Sequence, residues 1–85
     1  MKTFTYTIRD EVGIHARPAG MLVNTAKATG CKVTIEKGGR SADACKLFSV
    51  MSLGVKCGDT VIVTVEGGDE TAAIKSLSDF FEANL

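Results

Sequence analysis

The sequence predicts an α+β domain, a two-layer open-faced sandwich in which helices cover one face of a single antiparallel sheet. Its 85 residues suit one hydrophobic core, so we predict one domain over residues 1–85. Segments with the period of a strand and segments with the period of a helix follow one another in the order β-α-β-β-α-β-α. The predicted strands keep a threonine-rich side, which is typical of an antiparallel sheet that is open to solvent on one face.

The first strand and the first helix are predicted from a change of period. Strict alternation gives the strand one apolar and one threonine face, namely Phe4, Tyr6 and Ile8 against Thr3, Thr5 and Thr7. From His15 the apolar residues recur at helical spacing, and Gly30 suits the left-handed end of a helix. The apolar positions of that helix are Ala19, Leu22, Val23 and Ala26.

A hairpin, a short helix, a strand and a last helix complete the chain. Two strands joined by a tight turn are predicted from three features in succession. These are the alternation that begins at Cys31, the pair Gly38-Gly39 and the short segment over 40–44. A short helix is predicted over 46–53, ending at Gly54, and a valine-rich strand over 60–66. Asp69 is the predicted N-cap of the last helix, whose apolar stripe is Ala73, Leu77, Phe80 and Phe81.

Composition excludes several classes of function. Ten basic residues balance ten acidic ones, so bulk charge favours neither nucleic acid nor an anionic membrane as a partner. The longest apolar run, residues 61–65, is interrupted by a threonine and is far shorter than a membrane span. Cys31, Cys45 and Cys57 form no CxxC pair, so we expect free thiols, no metal, no cofactor and a cytoplasmic protein.

The single histidine lies where the first predicted strand leads into the first helix. At a helix start, the amides of Ala16 and Arg17 lack intrahelical acceptors and can bind an anion, while Pro18 is tolerated there. The Arg17 guanidinium can pair with phosphate oxygens, and a neutral His15 imidazole is a nucleophile that needs no separate base. The residues alone leave open that His15 is a capping or surface residue.

The second predicted helix is apolar over more of its circumference than a short surface helix can bury. We expect Val50 and Leu53 in the core. We expect the other arc to be an exposed patch for a partner, extended by a residue of the first helix: Leu47, Phe48 and Met51, with Met21. The alternative is that all five residues of the second helix belong to the core.

Two motifs, GIHARPAG at 13–20 and LFSVMSLG at 47–54, resemble the histidine-containing phosphocarrier proteins (HPr) of the bacterial sugar phosphotransferase system. The likeness extends over the whole chain. It implies a sheet of order 1-4-2-3 with three helices on one face. It also implies that enzyme I phosphorylates Nδ1 of His15 from phosphoenolpyruvate and that the group passes to enzyme IIA. The resemblance assigns Arg17 to phosphate stabilisation and Pro18 to the helix start. Together with the helix-start amides, this predicts Ala16, Arg17 and Pro18 as the phosphate-binding residues.

The same resemblance implies a carrier that serves its partner enzymes as a cosubstrate and is not itself an enzyme. The sequence does not fix the oligomeric state, for which we expect a monomer. Its complexes should be transient, with Arg17, Lys27 and Lys46 facing acidic partner surfaces. Many relatives carry a regulatory serine where this chain has Lys46, so we expect the serine switch to be missing. Nothing in the sequence favours modification of Ser41, Ser49 or Ser52 in its place.

Two other functions compete with the carrier. An HPr-like regulator would signal through the phosphorylation state of His15 while moving little sugar. A small acyl phosphate hydrolase on a similar two-layer frame would need an arginine loop and a group that positions water, and it would release phosphate without a partner.

Overall fold

The computed structural model describes residues 1–14 and 16–85, and of Ala16 it describes the backbone alone. The described residues form seven elements in the predicted order: β1 (Lys2–Thr7), α1 (Ala16–Ala28), β2 (Lys32–Lys37), β3 (Arg40–Asp43), α2 (Leu47–Ser52), β4 (Thr60–Glu66) and α3 (Glu70–Asn84). The ends of β4 coincide with the predicted ones, and the other predicted ends lie within one or two residues of the observed ones.

The four strands form one antiparallel sheet in the order β1-β4-β2-β3, which confirms the expected order. In the register, Val63 of β4 lies opposite both Phe4 of β1 and Ile35 of β2, so these side chains share the inner face. The outer face keeps its hydroxyl side chains, with Oγ1 of Thr3 3.4 Å from Oγ1 of Thr64. One face of the sheet is therefore left open to solvent.

The core lies between the inner face of the sheet and the helices. All four predicted apolar positions of α3 are buried: Ala73, Leu77, Phe80 and Phe81. The Phe81 ring packs edge to face against the rings of Phe4 and Tyr6, with centroids 5.6 and 5.4 Å away. Helix α1 packs against both α3 and α2. No helix within residues 1–14 and 16–85 is long and apolar enough to cross a membrane.

Ile8, predicted in the first strand, lies just beyond the end of β1 and is still buried. Its amide donates to the Asp59 carbonyl at 2.9 Å, and its carbonyl accepts from the Gly58 amide at 2.9 Å. The connection from β1 into α1 therefore starts from a point fixed against the loop before β4.

Candidate functional site

The loop between β1 and α1, residues 8–14, is held by its own turn and by the loop that follows α2. One Asp10 carboxylate oxygen accepts from the amides of Val12 and Gly13, both at 3.1 Å. The Ile14 amide donates to the Val55 carbonyl at 3.0 Å. The chain is thus fixed up to the residue that precedes His15.

Gly13 is required in this loop for two reasons. Its φ of +79° lies in the left-handed region, where a side chain is strained. A Cβ atom there would also stand 2.5 Å from the Val55 carbonyl oxygen, which is much closer than van der Waals contact. This loop approaches the backbone before β4 too closely for any residue other than glycine.

Helix α1 begins at Ala16, as the amides of a helix-start anion site require. Arg17 is exposed and Pro18 is buried in the first turn, which contains no acidic residue. The only ionisable side chain of that turn is therefore a cation at the positive end of the helix dipole. His15 itself lies outside the described residues, so its predicted role stays a prediction, as do those of Ala16, Arg17 and Pro18.

Arg17 also lines a shallow cavity of about 290 Å³ between the first turns of α1 and the end of α3. Its other lining residues are Pro18, Met21, Ala83 and Asn84. No sequence pattern marks Ala83 or Asn84, because their proximity to Arg17 arises only from the packing of α3 against α1. The Asn84 amide nitrogen donates to the Phe80 carbonyl at 3.0 Å.

The burial of α2 separates its apolar residues as predicted, with one correction. Val50 is 0% and Leu53 5% exposed, whereas Phe48 is 83% and Met51 37% exposed. The alternative that all five residues belong to the core is therefore wrong. Leu47, expected to be exposed, is half-buried because it packs against the core cluster.

Met21 of α1 is exposed, as are Lys27 and Lys46. Partial burial, reinforced by the Asp43 carboxylate, raises the pKa of the Cys45 thiol, while the charge of Lys27 acts in the opposite direction. Lys27 lies in the last turn of α1, and α1 packs against α2. The structure presents two cations and exposed apolar residues on neighbouring helices; their role in docking stays a prediction.

Lys46 occupies the N-cap position of α2, with extended backbone angles φ −120° and ψ 113°. Its carbonyl accepts from the Val50 amide at 3.1 Å, but a lysine side chain has no acceptor for the other free amides. A permanent positive charge at a helix start also opposes the helix dipole. This residue does not contribute the stability that a serine would at the same position.

Across the described part of the chain, no three potential ligand side chains come together as a metal site would require. The three cysteines are unpaired, and they range from buried Cys31 through half-buried Cys45 to exposed Cys57.

Comparison with known proteins identifies relatives of the whole chain. A family model described as the PTS HPr component phosphorylation site matches residues 2–83. The chain is similar to the crystal structure of HPr-C-His from Thermoanaerobacter tengcongensis, with 40% identity, coverage of 98% of this chain and 93% of that one, and a TM-score of 0.93.

Two relatives from Bacillus are similar at lower identity. For the phosphocarrier protein HPr of Bacillus anthracis, the identity is 28%, the coverage 94% of this chain and 95% of that one, and the TM-score 0.87. Crh is described as a Bacillus subtilis catabolite repression containing protein and was solved as a dimer with a swapping domain. It is 30% identical, the match covers 94% of this chain and 92% of that one, and the TM-score is 0.78.

Proposed function

Since this chain belongs to the PTS HPr family, we propose that it accepts a phosphoryl group on His15 from enzyme I and donates it to enzyme IIA. The observation that carries the proposal is the match of the phosphorylation-site family over residues 2–83, because this range contains the single histidine of the chain. That histidine directly precedes the first residue of α1.

The first turn of α1 supports the phosphoryl acceptor role. A phosphoryl group on His15 would meet backbone amides without intrahelical acceptors, the positive end of the helix dipole and the Arg17 guanidinium. No carboxylate in that turn would repel it. One nitrogen–phosphorus bond forms on the imidazole as the bond between phosphorus and enzyme I breaks, and the reverse exchange occurs with enzyme IIA. The protein thus acts as a cosubstrate.

Exposed apolar residues on α1 and on the neighbouring helix α2 support docking by the partner enzymes. Phe48, Met51 and Met21 offer an apolar surface, and Lys27 and Lys46 offer positive charge nearby. Charge attraction would accelerate association, while a small apolar contact would allow rapid release. A carrier needs both, because each molecule meets a donor and an acceptor in turn.

The test is phosphotransfer from labelled phosphoenolpyruvate through enzyme I to this protein and to its His15→Ala variant. We expect one acid-labile adduct per wild-type chain and none on the variant. Addition of enzyme IIA should then remove the label. Label on His15→Ala, or an unlabelled wild type beside an HPr that enzyme I labels, would contradict the proposal.

The likeness to Crh, which is described as a catabolite repression protein, favours a regulator as the second candidate. A regulator of this kind would take label from enzyme I and pass it only slowly to enzyme IIA. We expect transfer to enzyme IIA at a rate comparable to uptake, which would favour the carrier. Label that stays on the protein in the presence of enzyme IIA would favour the regulator.

Lys46 bears on the same choice, because it stands where many relatives carry a regulatory serine. We propose that this chain is insensitive to the serine kinase. Incubation with that kinase and ATP should leave no phosphoserine, whereas stoichiometric phosphoserine at any position would contradict this. We also expect a cytoplasmic monomer, and sedimentation of the protein would distinguish a monomer from a dimer like that of Crh.

A further inference from the structure

Arg9 connects β1 and the loop that follows it to the end of α3, which is far away in the sequence. Its Nη2 donates to the Glu82 carbonyl in the last turn of α3 at 3.0 Å, and its Nε donates to the Tyr6 hydroxyl at 3.0 Å. The guanidinium carbon lies 5.8 Å from the centre of the Tyr6 ring. The Tyr6 ring in turn packs against Phe81, so the Arg9 side chain rests on a ring that the core holds in place.

The backbone at Arg9 makes a second connection to the same end of α3. The amides of Arg9 and Asp10 both donate to a backbone oxygen of Leu85, at 2.6 and 2.8 Å. Leu85 is 3% exposed, and its amide donates to the Phe81 carbonyl at 2.8 Å. The start of the β1–α1 loop is thereby bound to the buried Leu85, the C-cap residue of α3.

From Asp10 the hydrogen bonds continue to the residue before His15. The Asp10 carboxylate holds the amides of Val12 and Gly13, and the Ile14 amide donates to the Val55 carbonyl. A displacement of Arg9 would therefore move the turn that Asp10 closes. That displacement would reach the chain next to His15.

We propose that Arg9 is a positioning residue for phosphoryl transfer, because its contacts fix the β1–α1 loop in the geometry in which His15 meets the phosphoryl donor. This inference rests on the proposed function. Arginine suits the role because its planar guanidinium donates in two directions while stacking on an aromatic ring, which a lysine ammonium cannot do. Arg9 is exposed, and single exposed hydrogen bonds contribute little to global stability.

The test compares the steady-state rate of labelling by enzyme I for the wild type, Arg9→Ala, Arg9→Lys and Tyr6→Phe over a range of carrier concentrations. Lys75→Ala is the matched control, since it removes an exposed cation that forms an ion pair with Asp79 on the same helix. Thermal unfolding of each variant is measured first, and rates are taken where every variant is folded.

For Arg9→Ala we expect kcat to fall about tenfold at unchanged KM, less than the roughly 100-fold that a 1 Å misplacement of reacting groups can cost. The kcat of Arg9→Lys should fall nearly as far. The kcat of Tyr6→Phe should fall less, because this substitution removes only the hydroxyl contact. The double variant should have the same kcat as Arg9→Ala alone. The Val12 and Gly13 amides should exchange hydrogen faster in Arg9→Ala.

Four results would overturn the inference. The first is a kcat of Arg9→Ala within twofold of the wild type and the control. The second is a higher KM at unchanged kcat, because Arg9 would then contact the partner. The third is full rescue by Arg9→Lys, because charge alone would then suffice. If Arg9→Ala fails to fold, an unchanged kcat for Tyr6→Phe is the fourth. In each case a labelled wild type leaves the proposed function standing, whereas an unlabelled wild type contradicts that function itself.

Discussion

Helices α1 and α3 pack side by side, yet their first turns differ in charge. In α3 the Asp69 carboxylate accepts from the Ala72 amide at 3.1 Å, and Glu70 accepts from the Gly67 amide at 2.9 Å. The first turn of α1 contains no acidic residue and carries Arg17. The carboxylates at the start of α3 therefore offset the positive end of its helix dipole, whereas the first turn of α1 contributes no carboxylate of its own.

The segments that lead into these two helices also differ, in how tightly their glycines are packed. Gly13 before α1 and Gly67 before α3 have nearly equal φ angles, +79° and +82°. A Cβ on Gly13 would collide with the backbone at Val55, whereas no described atom lies within 4 Å of a Cβ on Gly67. The chain before α1 is thus fixed by tight packing, and the chain before α3 needs only a glycine conformation. A transfer site needs a fixed approach, and a structural helix start does not.

The largest effect should come from breaking the packed segment. We expect Gly13→Ala to lower the free energy of unfolding by about 2–4 kcal/mol, because left-handed strain and overpacking add. Gly67→Ala, the matched control, introduces only the left-handed backbone strain. It should lower the free energy of unfolding by about 1–2 kcal/mol. Urea unfolding measures both. Equal losses would show that the contact with Val55 does not matter.

The next effect comes from giving α1 the acidic first turn of α3. Arg17→Glu should slow labelling by enzyme I about 100-fold or more, as loss of a charge-stabilising group does at other transfer sites. It should leave stability unchanged or raise it by up to about 1 kcal/mol, since a carboxylate suits a helix start. Arg17→Gln is the control that separates loss of the cation from added repulsion. Labelling at the wild-type rate would refute the role of Arg17.

Removing the cap of α3 tests the other side of the comparison. Asp69→Ala should lower the free energy of unfolding by about 1 kcal/mol, because the Ala72 amide loses its acceptor. Asp69→Asn keeps an acceptor oxygen and should lose much less. Labelling by enzyme I should be unchanged in both variants. A loss of labelling beyond what unfolding explains would mean that the start of α3 also serves transfer.

The smallest effect is the pH dependence that Glu70 contributes. A hydrogen bond from the Met1 amine and another from the Gly67 amide hold the pKa of Glu70 below its ordinary value of 4.5. The unfolded chain therefore binds more protons in acid, so this contribution is complete above pH 4.5 and is lost as pH falls through the lowered folded pKa. Glu70→Gln should have a lower free energy of unfolding than the wild type at neutral pH, and this difference between the two proteins should disappear in acid. A difference in the free energy of unfolding that grows in acid would contradict this contribution of Glu70.

Local patterns were sufficient to predict much of this molecule. The order of the elements, the core stripe of α3, the Asp69 cap and the division of Val50 from Phe48 all follow from periodicity and capping chemistry. The strand order came from the family resemblance, because periodicity does not say which strands pair. Leu47 was misjudged since a helical period gives the direction of a side chain but not the depth of its surroundings.

The sequence by itself determined that the single histidine is followed by Arg17 and Pro18 in a helix start without acidic residues, because covalent neighbours and local backbone preference decide these features. Only the tertiary structure decided that the end of α3 lies against Arg9 and beside Arg17, and that Gly13 has no room for a side chain. Those contacts join residues as far apart in the chain as Arg9 and Leu85. Their geometry depends on how the sheet and helices pack, and no local pattern encodes it.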